Sequence, residues 1–578
     1  MDEIKLISFD IFDTLITRNT ATTSAIFYIM QQMLQKEVSQ NFNTDFIENF
    51  VYIRQNSEKF IRENLRINEN KYEITLDDIY QYIQTNHSLT FAQAEYMKKI
   101  EIATEEQNIV PIYENINAIK NYKANGYKVI LISDMYLPQN IIKNFLLKFD
   151  EIFNEVEIYV SCEYNKKKSS GSMYELIRQK YRPKFWLHIG DNIKSDILIP
   201  LIKGIKVKLF DKTKLTLFEK FLLKKHNSNY KINILIGCSK VLRLKNKNST
   251  YGFGCSFVAP ILYTYIKWVL RQCEGLGIKH IYFVARDGYI LKEIADKIIV
   301  DNKFITHYFY TSRQACKNIQ QNNDISILQT YLKQEVASDE SKVAFIDING
   351  SGKTQDYITQ VLNTERKCIT HNFYLHNITT VKQNDNSIKH AMIPLCDTED
   401  WIEYLCRCPQ TQTIGYQFND DNQVLPILED GSVANIIEWG FNDYLKGILD
   451  FIQMALQVEQ NNYISLVELS MFDYMNEYIH EHLDKKTADI IGSIPFETKG
   501  AENKFSVVAP NINLFNILYP KYTDYIAVAR CDKFLKPIAK IIKTVINPRT
   551  YVFINKDKKL AYFKIFNLKI NITKIIWR

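Results

Sequence analysis

None of the ten cysteines forms a Cys-x-x-Cys pair. The nearest neighbours, Cys406 and Cys408, have no His or further Cys beside them, which is not zinc-finger spacing. Such usage fits reduced thiols in a cytoplasmic protein. Excess charge is also missing: the formal net charge is +7 over 578 residues, so a nucleic-acid partner has no compositional support. The longest uncharged run, Asn248 to Ile266, is interrupted by Gly252, Gly254, Ser256 and Pro260 and reads as too polar for a membrane span. The N-terminus passes from acidic residues straight into an apolar strand, so no secretory signal is expected. With 46% hydrophobic and 24% charged residues, the chain is expected to be globular, with about two to four domains.

What is present starts with Ile7-Ser8-Phe9-Asp10-Ile11-Phe12-Asp13-Thr14-Leu15, an apolar run that carries a carboxylate out of its end. Strand ends are where α/β sheets bind ligands, so Asp10 is a candidate nucleophile or metal ligand; the other reading is a cap on the next turn. Lys128 to Ile132 is a second strand, ending in Ser133-Asp134. Lys166-Lys167-Lys168-Ser169-Ser170-Gly171 is a basic turn entering a helix from Met173 to Lys180. Trp186 to Ile189 is a third strand, ending in Gly190-Asp191-Asn192-Ile193-Lys194-Ser195-Asp196.

The order and spacing of these four stretches resemble the haloacid dehalogenase superfamily of aspartate-nucleophile hydrolases. The resemblance covers about the first third of the chain and implies a Rossmann-like α/β domain with an inserted α-helical cap. It implies that Asp10 takes up a phosphoryl group as an aspartyl-phosphate, with Ser133 as hydrogen-bond donor and Lys168 as point charge. It also implies Mg²⁺, held by Asp10, the backbone carbonyl of Phe12 and Asp191, with Asp196 in support. Lys168 is preferred to Lys166 and Lys167 because its distance to Gly171 matches the superfamily's Lys-x-x-Gly/Pro pattern. One position departs. Phosphatases of this superfamily place a second Asp two residues after the nucleophile as general acid, and here that residue is Phe12. Such an acid contributes about two to four powers of ten in rate. Three readings follow: a substrate with a good leaving group, Asp13 acting from the next position, or an inactive domain. Dehalogenases of the superfamily also lack the Asp but use no metal, so the retained Gly190-Asp191-Asn192 and Asp196 point to phosphoryl transfer.

From about residue 17 to 110, apolar residues such as Ile26, Met30 and Met33 recur at helical spacing, where the resemblance places the cap. The domain is expected to span residues 1–215. Residues 216–250, rich in Lys and Asn, read as a helical linker with a solvated basic face.

Residues 251–430 read as a second α/β domain. His280 to Ala285 is a strand before Arg286-Asp287-Gly288 and a helix from Tyr289 to Ile299; Thr306 to Tyr310 is a strand before Thr311-Ser312-Arg313; Lys342 to Ile346 is a strand before Asp347-Ile348-Asn349-Gly350-Ser351-Gly352-Lys353-Thr354. Such alternation predicts a parallel sheet. The last loop is not a Walker P-loop, because the residue five before Gly352 is Asp347 rather than Gly. It resembles the ribose-phosphate loop of phosphoribosyltransferases, which makes Arg286, Asp287, Arg313, Asp347, Ser351, Gly352 and Thr354 a candidate second site for a phosphorylated ligand. The other reading is a set of tight turns with the arginines paired to Asp287 and Asp347. Phe-Val-Ala-Arg-Asp-Gly-Tyr and Ile-Asp-Ile-Asn-Gly-Ser-Gly, following the first motif, resemble large predicted hydrolases of bacterial surface-polysaccharide gene clusters (capsule and O-antigen). That match runs through Gly415-Tyr416 to Val424-Leu425-Pro426.

Residues 431–547 read as mainly helical. The tail, 548–578, interleaves Arg549, Lys556, Lys558, Lys559, Lys564, Lys569, Lys574 and Arg578 with aromatic and aliphatic residues. It fits either an interfacial segment on an anionic membrane, the preferred expectation, or a short β-hairpin docked on the protein and turning near Asn567. The leading functional expectation is a Mg²⁺-dependent phosphatase or phosphotransferase acting on a phosphorylated sugar or related intermediate of surface-polysaccharide synthesis. The others are a non-catalytic scaffold, and a glycosyl or phosphoribosyl transferase in the middle domain.

Overall fold

The computed structural model describes residues 4–37, 41–65, 72–226, 228–377, 386–393, 401–497, 505–509, 525–531, 552–555, 560–565 and 568–571. The chain divides into two compact units, Met1–Lys247 with Met454–Leu466, and Asn248–Gln453 with Val467–Arg578.

In the first unit, β1 (Lys5–Phe9), β2 (Lys128–Ser133), β3 (Glu157–Val160), β4 (Phe185–Gly190) and β5 (Lys206–Leu209) pair in parallel in the order β3-β2-β1-β4-β5. Parallel strands are covered on both faces and therefore read as continuous apolar runs. Leu6, Ile7 and Phe9 of β1 are accordingly fully buried. The chain winds one way from β1 to β2 and β3, and the other way to β4 and β5. The carboxyl end of β1 therefore borders the crevice where such sheets bind ligands.

After β1 the chain passes through the antiparallel pair Ile16–Arg18 and Ile109–Pro111. The segment between them includes helices Ser24–Leu34, Phe50–Leu65, Leu76–Asn86 and Phe91–Gln107. Two of these start on reciprocal caps, Thr75 with Asp78 and Thr90 with Gln93, which satisfy otherwise orphaned amides. Their core holds a buried ion pair: Arg54 Nε and Nη2 donate to Glu101 at 2.8 and 2.7 Å, and Tyr80 Oη donates to the same carboxylate at 2.7 Å.

The stretch expected as a linker with a solvated face folds differently. It forms helices Leu217–Lys225 and Tyr230–Lys245, and every residue from Ile232 to Leu242 in the second is buried. The reason is packing against the turn that leads into the cap. A Cβ on Gly237 would lie 2.2 Å from the Asn19 carbonyl oxygen, and Asn233 Oδ1 accepts from the amides of Ala21 and Thr22 at 3.0 Å.

The second unit contains another five-stranded parallel sheet: β6 (His280–Val284), β7 (Ile305–Phe309), β8 (Lys342–Gly350), β9 (Ile369–Asn377) and β10 (Ser387–Ile393), in the order β10-β9-β8-β6-β7. Strand β8 runs four residues beyond the expected Ile346 because β9 continues to pair with it as far as Gly350↔Asn377, whereas β6 stops at Phe283↔Ile346. Asp347 therefore sits one residue past the last pairing with β6. The helical run Ser249–Leu276 is long and apolar enough to cross a membrane, yet 89% of its most apolar window is buried inside the protein.

Farther along, helices Phe441–Asn462, Met471–Glu477, Lys485–Gly492 and Tyr525–Arg530 are accompanied by a short antiparallel pair, Pro495–Glu497 with Phe505–Val507. The tail adopts strands: Val552–Asn555, Leu560–Ile565 and Leu568–Asn571 pair in antiparallel succession, and the second pairing brackets residue 567. Arg549, Lys556, Lys558, Lys559, Lys574 and Arg578 lie outside the described residues.

Candidate active site

Asp10 follows β1 directly and is anchored there by its amide, which donates to Ile189 O on β4 at 2.8 Å. Its carboxylate is 5% exposed and meets the Lys168 ammonium. Lys168 Nζ also donates to Asp196 Oδ1 at 2.7 Å. The turn that delivers Lys168 is held by Asp134, whose carboxylate accepts from the Lys168 amide at 2.8 Å. Gly171, three residues on, closes that turn at φ +82, a left-handed conformation suited to glycine, and opens helix Ser172–Tyr181. Gly190 serves the acidic loop: a Cβ there would lie 2.6 Å from the Asp196 side chain, so any larger residue would push that carboxylate away.

Asp10, Asp191 and Asp196 can present carboxylate oxygens all within 4.8 Å of one another. Both oxygens of Asp196 are already engaged, Oδ1 by Lys168 and by His188 Nε2 at 3.3 Å, and Oδ2 by the Asn192 amide at 3.0 Å. Asp196 thus steadies the loop, while Asp10 and Asp191 face the opening. Behind it lies a buried relay: Trp186 Nε1 donates to Ser8 Oγ at 2.8 Å, and Ser8 Oγ lies 2.8 Å from His188 Nδ1. Burial keeps His188 neutral by lowering its pKa. A neutral ring that accepts from Ser8 at Nδ1 has its proton on Nε2, facing Asp196.

Burial is the main force on the carboxylates. It pushes Asp10 up to about 8, with Asp196 and Asp191 adding repulsion against the pull of Lys168. Asp191 rises to about 6 by burial and by the charges of Asp13 and Asp196. Asp196 goes the other way, because Lys168 and His188 outweigh its burial. Three carboxylates thus share one ammonium. That donor set, hard oxygens with excess negative charge, fits a divalent cation such as Mg²⁺ on Asp10, Asp191 and the Phe12 carbonyl.

A cavity of about 930 Å³ opens over this cluster, lined by Asp10, Phe12, Asp13, Ser133, Lys168, Asp191 and Asp196. Every residue that sequence reasoning assigned to the first site therefore meets in one place. On the cap side, Gln55, Glu58, Lys59, Arg62 and Glu63 of helix Phe50–Leu65 complete the wall, making it polar and charged.

Three groups were missed by sequence reasoning besides His188 and Asp134. Arg18 lies over the Phe12 ring at 4.6 Å and is held by Glu105 through bonds of 2.8 and 3.0 Å. Lys240, from the buried helix Tyr230–Lys245, reaches Asp13 Oδ1 at 3.4 Å and Thr20 O at 3.2 Å. Thr17 Oγ1 donates to the same Asp13 oxygen. Burial would raise the Asp13 pKa, but Lys240, Thr17 and Arg18 together lower it, so Asp13 stands as a carboxylate.

The family model of haloacid dehalogenase-like hydrolases matches residues 4–199. The first unit carries a haloacid dehalogenase-like hydrolase domain. Among solved structures, the chain is similar to one described as a dehalogenase, at 9% identity over 37% of this chain and 87% of that one, with a TM-score of 0.25. It is also similar to the magnesium-bound putative HAD-hydrolase YfnB from Bacillus subtilis, at 14% identity over 36% of this chain and 90% of that one, again with a TM-score of 0.25. No curated protein matches.

Outside the dehalogenase-like domain, the second set of candidates lies at the ends of β6 and β8, apart from Arg313. Arg286 and Asp287 form the turn after β6, Asp347 lies on β8 beside it, and Ser351, Gly352 and Thr354 make the turn into helix Lys353–Glu365. Arg313 is exposed on the first turn of helix Arg313–Asn322, and no described contact ties it to Asp287 or Asp347.

Proposed function

We propose that the dehalogenase-like domain is a Mg²⁺-dependent phosphatase or phosphotransferase that works through an aspartyl-phosphate on Asp10. The observation that carries this reading is the cluster of Asp10, Asp191 and Asp196 around Lys168 at the floor of an open cavity. A carboxylate oxygen of Asp10 attacks phosphorus, the bond to the leaving oxygen breaks, and water then releases phosphate from Asp10. Lys168 and Ser133 stabilise charge on the phosphoryl oxygens. Asp196, set by His188, keeps Lys168 in place. Bound Mg²⁺ would supply electrostatic stabilisation of the phosphoryl group.

The substrate proposed is a phosphorylated sugar or related intermediate of surface-polysaccharide synthesis. The charged and amide side chains of helix Phe50–Leu65 suit a polar, hydroxylated molecule. Phe12 cannot give the leaving oxygen a proton, and Asp13 is held ionised. Intermediates with a weakly basic leaving oxygen, an acyl phosphate or a diphosphate linkage, therefore suit the site best. The same two features favour a second reading, a ligand-binding domain without turnover.

The test is a phosphatase screen of the full chain with Mg²⁺ or with EDTA, followed by chemical trapping of an acyl-phosphate on Asp10. Asp10→Asn should abolish both turnover and trapping, and Asp191→Asn should weaken metal binding by about ten- to a hundredfold. Full activity in Asp10→Asn would refute the mechanism. Phosphate-ligand binding with no trapped intermediate would establish the second reading.

A further inference from the structure

The second unit gathers ionisable groups at one end of its sheet that phosphoryl transfer in the first unit does not use. Its strand order turns between β6 and β8, since β7 lies outside β6 while β9 and β10 lie outside β8. The crevice beyond the carboxyl ends of β6 and β8 is thus a topological switch point, where open α/β sheets bind ligands. Arg286 leaves β6 there at φ +72, a conformation costly for a residue with a side chain. Its amide donates to Tyr308 Oη on β7 at 2.8 Å, which fixes that turn. Asp287 starts helix Gly288–Ile298, yet its carboxylate makes no capping bond. Asp347, just past the end of β6, accepts from the Ile348 amide at 2.8 Å and from Gln355 Nε2 at 3.0 Å. Burial together with the charges of Asp287 and Glu403 pushes Asp347 up to about 7, while Arg286 and Arg407 act on Asp287.

An independent feature points into the same crevice. Tyr374 on β9 is the register partner of Asp347, so the two side chains leave the same face of the sheet. Tyr374 is fully buried, and among the described residues its hydroxyl has no hydrogen-bond partner. Its ring edge comes within 3.9 Å of where a Cβ on Gly350 would sit, beside the turn Gly350-Ser351-Gly352. That turn, with φ +150 at Gly350 and +73 at Gly352, opens helix Lys353–Glu365, whose first amides have no partner within the helix. A buried hydroxyl left unpaired is destabilising unless something else supplies the bond. Among the described residues, no three acidic groups of this crevice bring ligand oxygens within 4.8 Å of one another.

We propose that this crevice is a second ligand site, specific for a phosphorylated polyol such as a sugar phosphate. Asp287, Asp347 and Tyr374 take the hydroxyl groups; Arg286, Arg407 and the amides of the Gly350–Gly352 turn take the phosphate. The inference does not rest on activity in the dehalogenase-like domain.

Calorimetric titration of the full chain carrying Asp10→Asn, in EDTA, tests it with inorganic phosphate, ribose 5-phosphate, glucose 1-phosphate, glucose 6-phosphate and the unphosphorylated sugars. At least one sugar phosphate should bind better than phosphate or the free sugar, and Asp347→Asn should weaken it by roughly tenfold or more. Tyr374→Phe guards against misfolding, because it removes a hydroxyl that has no hydrogen-bond partner among the described residues. It should leave the ligand-free melting temperature unchanged or higher and weaken binding several-fold. Unchanged affinity in Tyr374→Phe and in Asp347→Asn would overturn the proposal, as would absence of binding by every probe at about 10 mM.

Discussion

Under the proposed function, Asp13 is the side chain whose state decides which phosphates the first site cleaves. It is held ionised by Lys240 and Thr17, and its neighbour Phe12 lies beneath Arg18. The wild-type chain should therefore cleave acyl phosphates faster than alkyl phosphates by about two to four powers of ten. Comparable rates on both, with the alkyl rate lost in Asp13→Asn, would instead make Asp13 the proton donor. Asp347 gives a test in pH. Its carboxyl is raised from 3.8 to about 7 by burial and by Asp287 and Glu403, so the folded protein holds a proton there that the unfolded chain has lost. Its contribution to stability is complete below about pH 4 and is lost as pH rises through 7. Asp347→Asn removes this dependence, so the melting temperature of the variant relative to wild type should rise between pH 4 and pH 7. A constant difference would mean that Asp347 is ordinary in pKa. At this scale the sequence was most legible: Asp10, Ser133, Lys168 and Asp191 announce themselves because each stands at a strand end or in a turn with a local pattern. Lys240 did not, since it lies 227 positions from Asp13 in a stretch whose lysines and asparagines read as solvated.

Among the elements, helix Tyr230–Lys245 shows what local composition hides. Its hydrophobic residues are spread over all sides, and the packing of the cap entrance and of helices Ser24–Leu34 and Leu217–Lys225 against it makes that reasonable. Gly237→Ala should destabilise the protein by about 1–3 kcal/mol, because the added methyl meets the Asn19 backbone, which cannot move aside as a side chain would. A denaturation midpoint equal to wild type would show that the turn yields. A fragment ending at residue 215, where the sequence pattern suggests the domain stops, loses both this helix and the residues 454–466 that complete the unit. It should be recovered mostly as aggregate. A soluble, cooperatively melting fragment would show that the helix is dispensable. The second sheet was legible as alternating strands and helices, and Asp287 and Asp347 as one candidate site, but Tyr374 was not, because its place beside Asp347 depends on which strands are neighbours. Likewise, nothing in the linear pattern signals that β8 outruns its expected end.

Over the whole molecule, the two units are interleaved along the chain, with 454–466 belonging to the first although more than two hundred residues of the second precede it. Sequence patterns alone gave the succession of domains but not this nesting, because the returning segment carries no motif of its own. Its anchoring is specific: Asn108 and Asn462 exchange side-chain hydrogen bonds of 2.9 and 3.1 Å in a buried setting, and Asn462 ends the long helix Phe441–Asn462. Synthesis therefore cannot finish the two units one after the other. When residue 247 leaves the ribosome, the amide of Asn108 still lacks its counterpart, and at about 5–20 residues per second it waits roughly 10–40 s for Asn462 to be made. During that interval the apolar run Ser249–Leu276 also emerges, ahead of the strands that will cover it. A stop codon anywhere between residues 248 and 466 thus leaves two unfinished units rather than one finished and one missing.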